Sequence, residues 1–365
     1  MTRARTVPDL WIIIPTLLIL TIGVIMVYSA SAILAFHDFG DSFYYLKRQL
    51  IFAVLGVIAM TVTLQVDYHV WKRVANIGLI VGFILLVIVL IPGIGVVRGG
   101  ARSWLGISSF GIQPSEFIKM AMIIFMAKVL SESDSRITSF NRGLLPMLLI
   151  LGTAFGLIML QPDLGTGSVL LGATMLIIYT AGARLSHLAW LGVVGLVGFA
   201  GLIAAAPYRL QRITSFLDPW QDPLGAGYQI IQSLYAIGPG GLVGLGLGMS
   251  RQKYSYLPEP QTDFIFSIIA EELGFIGAAT VLLLFLLLIW RGMRTAITAP
   301  DSFGSLLATG IVGMIAVQVI INIAVVTGMM PVTGITLPLI SAGGSSLTLM
   351  LTAIGILLNI SRYAR

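Results

Sequence analysis

The chain has no cysteine, which excludes disulfides and thiolate metal sites without naming a compartment. Charge is scarce too: Asp, Glu, Lys and Arg make up 10% of the residues, against roughly 25% in an ordinary soluble domain. Histidine occurs three times, as the scattered His37, His69 and His187, so a catalytic triad has little to draw on. No HExxH run is present, which removes the zinc-protease pattern; a carboxylate-held Mg2+ or Mn2+ stays open as a cofactor. The formal net charge of +6 is not a nucleic-acid signature, because most Lys and Arg fall in short turns between apolar runs, where they set membrane topology.

What fills the chain is apolar: 57% of its 365 residues are hydrophobic and the mean hydropathy is +0.99. Crossing a hydrocarbon core of about 30 Å takes roughly 20 such residues. Ten runs fit, at 10–36, 49–66, 74–92, 113–131, 144–161, 164–182, 186–206, 263–290, 303–327 and 336–361. The first follows Arg3 and Arg5 but is too long for a signal-peptide core, so it reads as a retained span. The expected fold is an all-α polytopic bundle, one membrane domain over 1–365 with a large outer loop at 207–262 between the seventh and eighth spans.

An even number of spans puts both termini on one side. Turns on that side carry Lys72 and Arg73, Arg136 and Arg142, Arg184, Arg291 and Arg294, then Arg362 and Arg365, which marks it as cytoplasmic. The opposite side receives the loop with His37, Asp38 and Asp41, the run VRGGARSWLG, the 207–262 stretch and the turn MMPVTGITLP. It also holds Arg98, Arg102, Arg209, Arg212, Arg251 and Lys253. Positive charge on the disfavoured side needs a reason, and an anionic ligand at the outer face supplies one.

Ionisable groups inside a membrane are costly and therefore informative. In QPSEFIKM, Glu116 and Lys119 are three residues apart on one helical face, spaced to pair, with Pro114 in the first turn; a structural ion pair and a ligand site fit equally well. In QPDLGTG, Asp163 suits a helix cap, and Gly165 and Gly167 suit close packing. The eighth span opens on Thr262 and Asp263 after a Pro-stiffened LPEP turn, at the outer face that holds the basic residues. A cap is the ordinary role for such an Asp, but this carboxylate could also act as a general base on a hydroxyl. Glu271 and Glu272, about two turns further in, diverge by about 100° around the helix, so at most one points at a given partner; charge balance suggests Lys119 or an Arg.

Within 207–262, GAGYQIIQSLYAIGPGG reads as a short amphipathic helix lying on the membrane surface as a lid or platform, with Tyr228, Ile231, Leu234 and Tyr235 on one side and Gln229 and Gln232 on another. Gln232 is taken as a candidate substrate contact. The glycine-rich GPGGLVGLGLG lacks the GK[ST] ending of a phosphate-binding loop, and SAGGSS lacks a nucleophile-elbow setting.

The runs VRGGARSWLG, QPSEFIKM, QPDLGTG, RITSFLDPWQDPLGAGYQIIQSLYAIGPGGLVGLGLG, LPEPQTDFIFSIIAEELGFIG and PVTGITLPLISAGGSS together resemble the SEDS proteins (shape, elongation, division and sporulation), the peptidoglycan glycosyltransferase family of FtsW and RodA. The resemblance covers essentially the whole chain and is nearest to the sporulation branch. It implies a ten-helix enzyme that polymerises lipid II into glycan strands at the outer face of the cytoplasmic membrane, for spore cortex synthesis, with a class B penicillin-binding protein as partner. It implies Asp263 as the catalytic carboxylate, matches Glu116 and Lys119 to the fourth-span motif, and places the family's outer arginine pattern on Arg98, Arg102, Arg209 and Arg212. Glycan extension from an α-linked donor to a β-linked product then needs one base, for which Asp263 is the choice. It also needs positive charge for the departing pyrophosphate, from those arginines and Lys119, with or without a divalent cation. Glu116, Lys119, Glu271 and Glu272 are expected to couple helix arrangement to the outer site.

Two rival readings come from other classes. A lipid II flippase would line a route with intramembrane Glu, Lys and Asn322, spread through the membrane depth, whereas the polar groups crowd toward the outer half. A non-catalytic scaffold for the penicillin-binding protein would not need Asp263 amid so many basic groups.

Overall fold

Asp9 starts the first helix by accepting the Trp11 N–H at 2.9 Å, and Gly40 ends it in the left-handed region at φ 70°. The computed structural model describes residues 7–98, 101–107, 110–132, 139–204, 214–254 and 256–364. After α1 (Leu10–Phe39) come α2 (Tyr44–Gln65) and α3 (His69–Leu90), then the strands β1 (Gly95–Arg98), β2 (Ala101–Ile107) and β3 (Phe110–Ile112). Next are α4 (Pro114–Ser131), α5 (Leu145–Met159), α6 (Leu164–Thr180), α7 (Leu185–Ala204) and the short α8 (Tyr228–Ile237). The long α9 (Ile265–Thr298), α10 (Ser302–Val326) and α11 (Gly344–Ser361) complete the bundle.

A helix coincides with each of the ten expected segments. Six of them, α1, α2, α3, α9, α10 and α11, have the length and apolarity of membrane crossings, and the chain is a multi-pass membrane protein. Shorter apolar helices are α5, α6 and the Leu185–Gly195 part of α7, while α4 carries three charges, Glu116, Lys119 and Lys128. The core lies around the last two helices: 72% of the apolar stretch of α10 and 78% of that of α11 is buried, against 28% in α2 and α3. Outward apolar side chains such as Ile51, Val54 and Ile58 on α2 suit lipid as the solvent. No described side chain of α7 is buried.

Chain alternation sorts the motifs between the two ends. At one end Asp9 pairs with Arg291 at 2.6 Å and donates its backbone N–H to Ser361 Oγ at 3.2 Å. At that end too, Tyr68 donates its hydroxyl to Asp301 and its N–H to Asn359 Oδ1 at 2.9 Å. A cavity of about 430 Å³ opens here beside Leu130, Thr180, Pro300 and Asp301, sharing no residue with the site described below.

Three expectations need correction. The loop around the VRGGARSWLG run is not a plain one: its described residues contribute to β1 and β2, which with β3 make a three-stranded antiparallel sheet, Val97 opposite Arg102 and Leu105 opposite Ile112. The last span begins at Gly344 and not at 336; 327–343 is non-helical and folds back among the helices. The helix α8 is packed into the bundle: Ile230, Ile231, Ser233 and Ala236 are buried while Leu234 and Tyr235 face outward. Ser233 Oγ donates to Val326 O at 2.6 Å and lies 2.8 Å from Ser267 Oγ, which joins α8 to α9 and α10.

Candidate active site

On α10, Gln318 and Asn322 sit four residues apart on one face, each 1% exposed. Amides so buried need partners, and the re-entrant segment needs them equally, because extended backbone in a bundle has no internal ladder. Gln318 Nε2 donates to Thr336 O at 3.0 Å, and Asn322 Nδ2 donates to Ile335 O at 2.7 Å and to Asp263 O at 2.8 Å. Ser341 Oγ accepts the Leu337 N–H at 2.8 Å and donates to Thr262 O at 2.6 Å. The Ala342 N–H reaches Gln261 O at 2.8 Å, and Gln49 Nε2 reaches Ser341 O at 3.3 Å. The turn Gln261 to Asp263 is thus stitched to the re-entrant segment. Asp263 itself is half-buried, and a Cβ on Gly334 would lie 3.8 Å from its Oδ2.

The fourth-helix pair stands behind this segment. Lys119 Nζ lies 2.7 Å from Glu116 Oε1 and 3.4 Å from Gln318 Oε1, and Glu116 Oε2 accepts the Ser346 hydroxyl at 3.1 Å. Lys119 is 2% exposed, so its ammonium stands in the interior of the bundle. Gln113 donates its N–H to Ser345 Oγ at 3.2 Å and its Nε2 to Asp163 Oδ2 at 3.1 Å. Asp163 caps α6 through the Thr166 N–H at 2.9 Å, as its sequence context suggests. Gly165 admits the re-entrant segment and not a neighbouring helix: a Cβ there would come within 2.7 Å of Thr333 O.

Glu271 and Glu272 are both fully buried, and both turn to the same loop, which corrects the expectation of divergent partners. Glu272 pairs with Lys253 at 3.0 Å, not with Lys119 or an Arg, and accepts Ser29 Oγ at 2.6 Å and the Gly248 N–H at 3.0 Å. Glu271 accepts the Arg251 N–H at 2.8 Å and the Ser250 hydroxyl. The loop reaches them because α9 breaks at Gly274, with φ 65° and ψ −165°. The carbonyls freed there, those of Glu271 and Glu272, accept the Leu245 and Gly246 N–H groups, each at 3.0 Å. The freed Phe275 and Ile276 N–H groups donate to Gly241 O at 2.9 Å and Leu242 O at 3.1 Å. The glycine-rich run is therefore the insert that completes a broken helix.

Of the other expected contacts, Arg102 is half-buried on β2 and Gln232 half-buried on α8. Arg98 lies at the end of β1, while Arg209 and Arg212 fall outside the described residues. Among the described residues no group of three or more His, Asp or Glu could enclose a metal ion, so these side chains do not by themselves build a Mg2+ or Mn2+ site.

A family model described as "Cell cycle protein", covering FtsW, RodA and SpoVE, matches residues 9–365. The chain belongs to the FtsW/RodA/SpoVE family. It is 62% identical to stage V sporulation protein E of Bacillus subtilis (strain 168) over 100% of both chains. It is 44% identical to a probable peptidoglycan glycosyltransferase FtsW of Geobacter sp. (strain M18), covering 98% of this chain and 97% of that one. Among solved structures, a chain from a peptidoglycan synthase complex, described as coordinating polymerization and crosslinking, matches with TM-score 0.80 and 31% identity over 97% of this chain and 98% of that chain. Thermus thermophilus RodA matches with TM-score 0.72 and 28% identity over 97% of each.

In this FtsW/RodA/SpoVE fold the motifs of α4, the α5–α6 turn, the start of α9 and the re-entrant segment meet at one end. Gln318, Gln113, Ser341, Ser345 and Ser346 carry that convergence; Gln318 and Gln113 were not singled out from the sequence, the SAGGSS serines were weighed only as a nucleophile motif, and Asn322 only as part of a transport route. A polar pair four residues apart in an otherwise apolar helix was the available signal for Gln318 and Asn322.

Proposed function

We propose that this chain is a peptidoglycan glycosyltransferase that polymerises lipid II, with Asp263 as general base. The observation that carries the reading is the Asp263 turn, clamped through Asn322 and Ser341 to the re-entrant segment, in a chain matched end to end by relatives bearing that activity in their names. In the reaction, the 4-hydroxyl oxygen of the acceptor GlcNAc attacks the anomeric carbon of the donor MurNAc from the face opposite the leaving group. The C–O bond to the pyrophosphate breaks with its electron pair on undecaprenyl pyrophosphate, and the hydroxyl proton passes to Asp263. One displacement converts an α-linked donor into a β-linked glycan. Arg98, Arg102, Arg209 and Arg212 are proposed to hold the pyrophosphate, since guanidinium forks match its oxygens, and Gln232 to contact substrate. A divalent cation at the pyrophosphate would supply further charge, with phosphate oxygens as most of its ligands.

The proposed setting is a bacterial cytoplasmic membrane, crossed ten times, with both termini inside and the Asp263 end outside. A class B penicillin-binding protein is the proposed partner, crosslinking the strands as they grow, and spore cortex synthesis the proposed occasion. The test is incubation of the purified, partnered protein with fluorescent lipid II, comparing wild type, Asp263→Ala and Asp263→Asn. Long glycan ladders from wild type alone are expected. Ladders from all three would move the base elsewhere, and none from folded, partnered wild type would favour a flippase or scaffold.

A further inference from the structure

We infer that Asn322 is a positioning residue for the Asp263 carboxylate, an inference that rests on the reading of Asp263 as the base. Asn322 is 1% exposed. A side-chain amide nitrogen has two N–H donors, and here one is spent on Asp263 O at 2.8 Å and the other on Ile335 O at 2.7 Å. These two carbonyls belong to the two pieces of chain that flank the reacting position, namely the turn into α9 and the re-entrant segment. Ile335 adjoins Gly334, the backbone beside which the Asp263 carboxylate lies. Ser341 and Ala342 tie the same segment to Thr262 and Gln261, but Asn322 is the side chain that bonds Asp263 itself and the neighbour of Gly334 at once.

The chemistry of the clamp is selective. Both partners are acceptors, so a hydroxyl could serve one of them and a carboxylate neither. Among the described residues Asn322 Oδ1 is buried without a partner, and the amide's bonds to them run through its nitrogen. Position matters more here than affinity: a displacement of about 1 Å in a catalytic group can cost roughly 100-fold in rate. Asn322 is buried and bonds the backbone of Asp263, not its carboxylate, so its loss should lower kcat and leave KM nearly unchanged.

A control of the same kind stands at the far end of the bundle. Asn359 is fully buried, donates to Leu64 O at 2.7 Å and accepts the Tyr68 N–H at 2.9 Å. Steady-state polymerisation of fluorescent lipid II by the full-length, partnered protein would be measured for wild type, Asn322→Leu, Asn322→Ser, Asn359→Leu and Asp263→Asn, with thermal unfolding in the same detergent. The expected result is a fall in kcat of about 10- to 100-fold for Asn322→Leu with KM within about twofold. Asn322→Ser, which keeps one donor, should fall between that variant and wild type, and it carries the test if Asn322→Leu does not fold. Asn359→Leu should lose melting temperature without a comparable loss of kcat. Equal kcat losses in Asn322→Leu and Asn359→Leu at matched folded fraction would overturn the inference. So would wild-type kcat in folded Asn322→Leu with Asp263→Asn inactive, an outcome that leaves the base assignment standing. Wild-type ladders from Asp263→Asn would remove the base assignment, and this inference with it.

Discussion

Gln318 and Asn322 stand one helical turn apart on α10 and divide the re-entrant segment between them, Gln318 holding Thr336 O at 3.0 Å and Asn322 holding Ile335 O at 2.7 Å. Gln318 also meets Lys119 of the buried ion pair, and Asn322 also holds the backbone of Asp263. Ion pair and carboxylate are thus joined through consecutive residues of one strand of backbone. A shift of α4 relative to α10 would reach Asp263 by that route, which gives the coupling role proposed for Glu116 and Lys119 a physical path.

The ion pair itself should behave as a buried one. Lys119→Met leaves the Glu116 carboxylate without its cation and should cost about 3–5 kcal/mol of stability. Glu116→Gln combined with Lys119→Met should cost less than the sum of the single changes. Chemical unfolding in mild detergent measures both. If Glu116→Gln kept full polymerisation and full response to the partner, the coupling role would be lost while the structural one survived.

Gly274 is expected to tolerate no side chain. Its φ of 65° disfavours L residues, and a Cβ would come within 2.3 Å of the Gly244 nitrogen, so Gly274→Ala should expel the inserted loop and sharply lower the yield of folded protein. Gly152→Ala on α5 meets nothing within 4 Å and should be neutral or stabilising by up to about 1 kcal/mol. Fluorescence-detected size exclusion would separate the two.

The far end of the bundle carries a pH prediction. Burial first, and then the hydrogen bond to Asp301, push the Tyr68 phenol well above its ordinary value. A raised acid of this kind contributes stability that is fully present below the unfolded pKa of about 10 and is lost as the pH climbs beyond it. Tyr68→Phe should cost about 1.5–3 kcal/mol near neutrality, since the lost bond runs to a carboxylate. Its melting temperature should then fall less steeply above pH 10 than that of wild type.

Hydropathy alone located the long helices, because a membrane span must be apolar along its whole length. The Glu116 and Lys119 pair and the Asp163 cap were equally legible, being set by helical spacing and by local backbone chemistry. The start of the last span was misplaced because ITLPLI is as apolar as a helix. Pro338 instead precedes Leu339 at φ 64°, and the stretch is held by side chains of α10 and by bonds to Gln49, Gln261 and Thr262, far off in sequence. The buried face of α8 was misjudged for a different reason: where lipid is the solvent, Leu234 and Tyr235 can point outward and amphipathic patterning no longer tells inside from outside. The partner of Glu272 was illegible because charge balance cannot choose among cations, and Lys253 arrives only through the loop that enters at Gly274.

The break in α9 has one more implication. Four backbone hydrogen bonds tie 241–246 to the helix on both sides of Gly274, and each of those groups, if released, would face a medium with no water to replace its partner. The N-terminal portion of α9, whose first turn follows Asp263, cannot slide or rotate past the loop without undoing all four together. Loop and helix must then travel as one lever, with the inexpensive motion a tilt of the whole unit. Substrates entering from the bilayer would meet a rigid wall that swings as a unit and does not open as a flap.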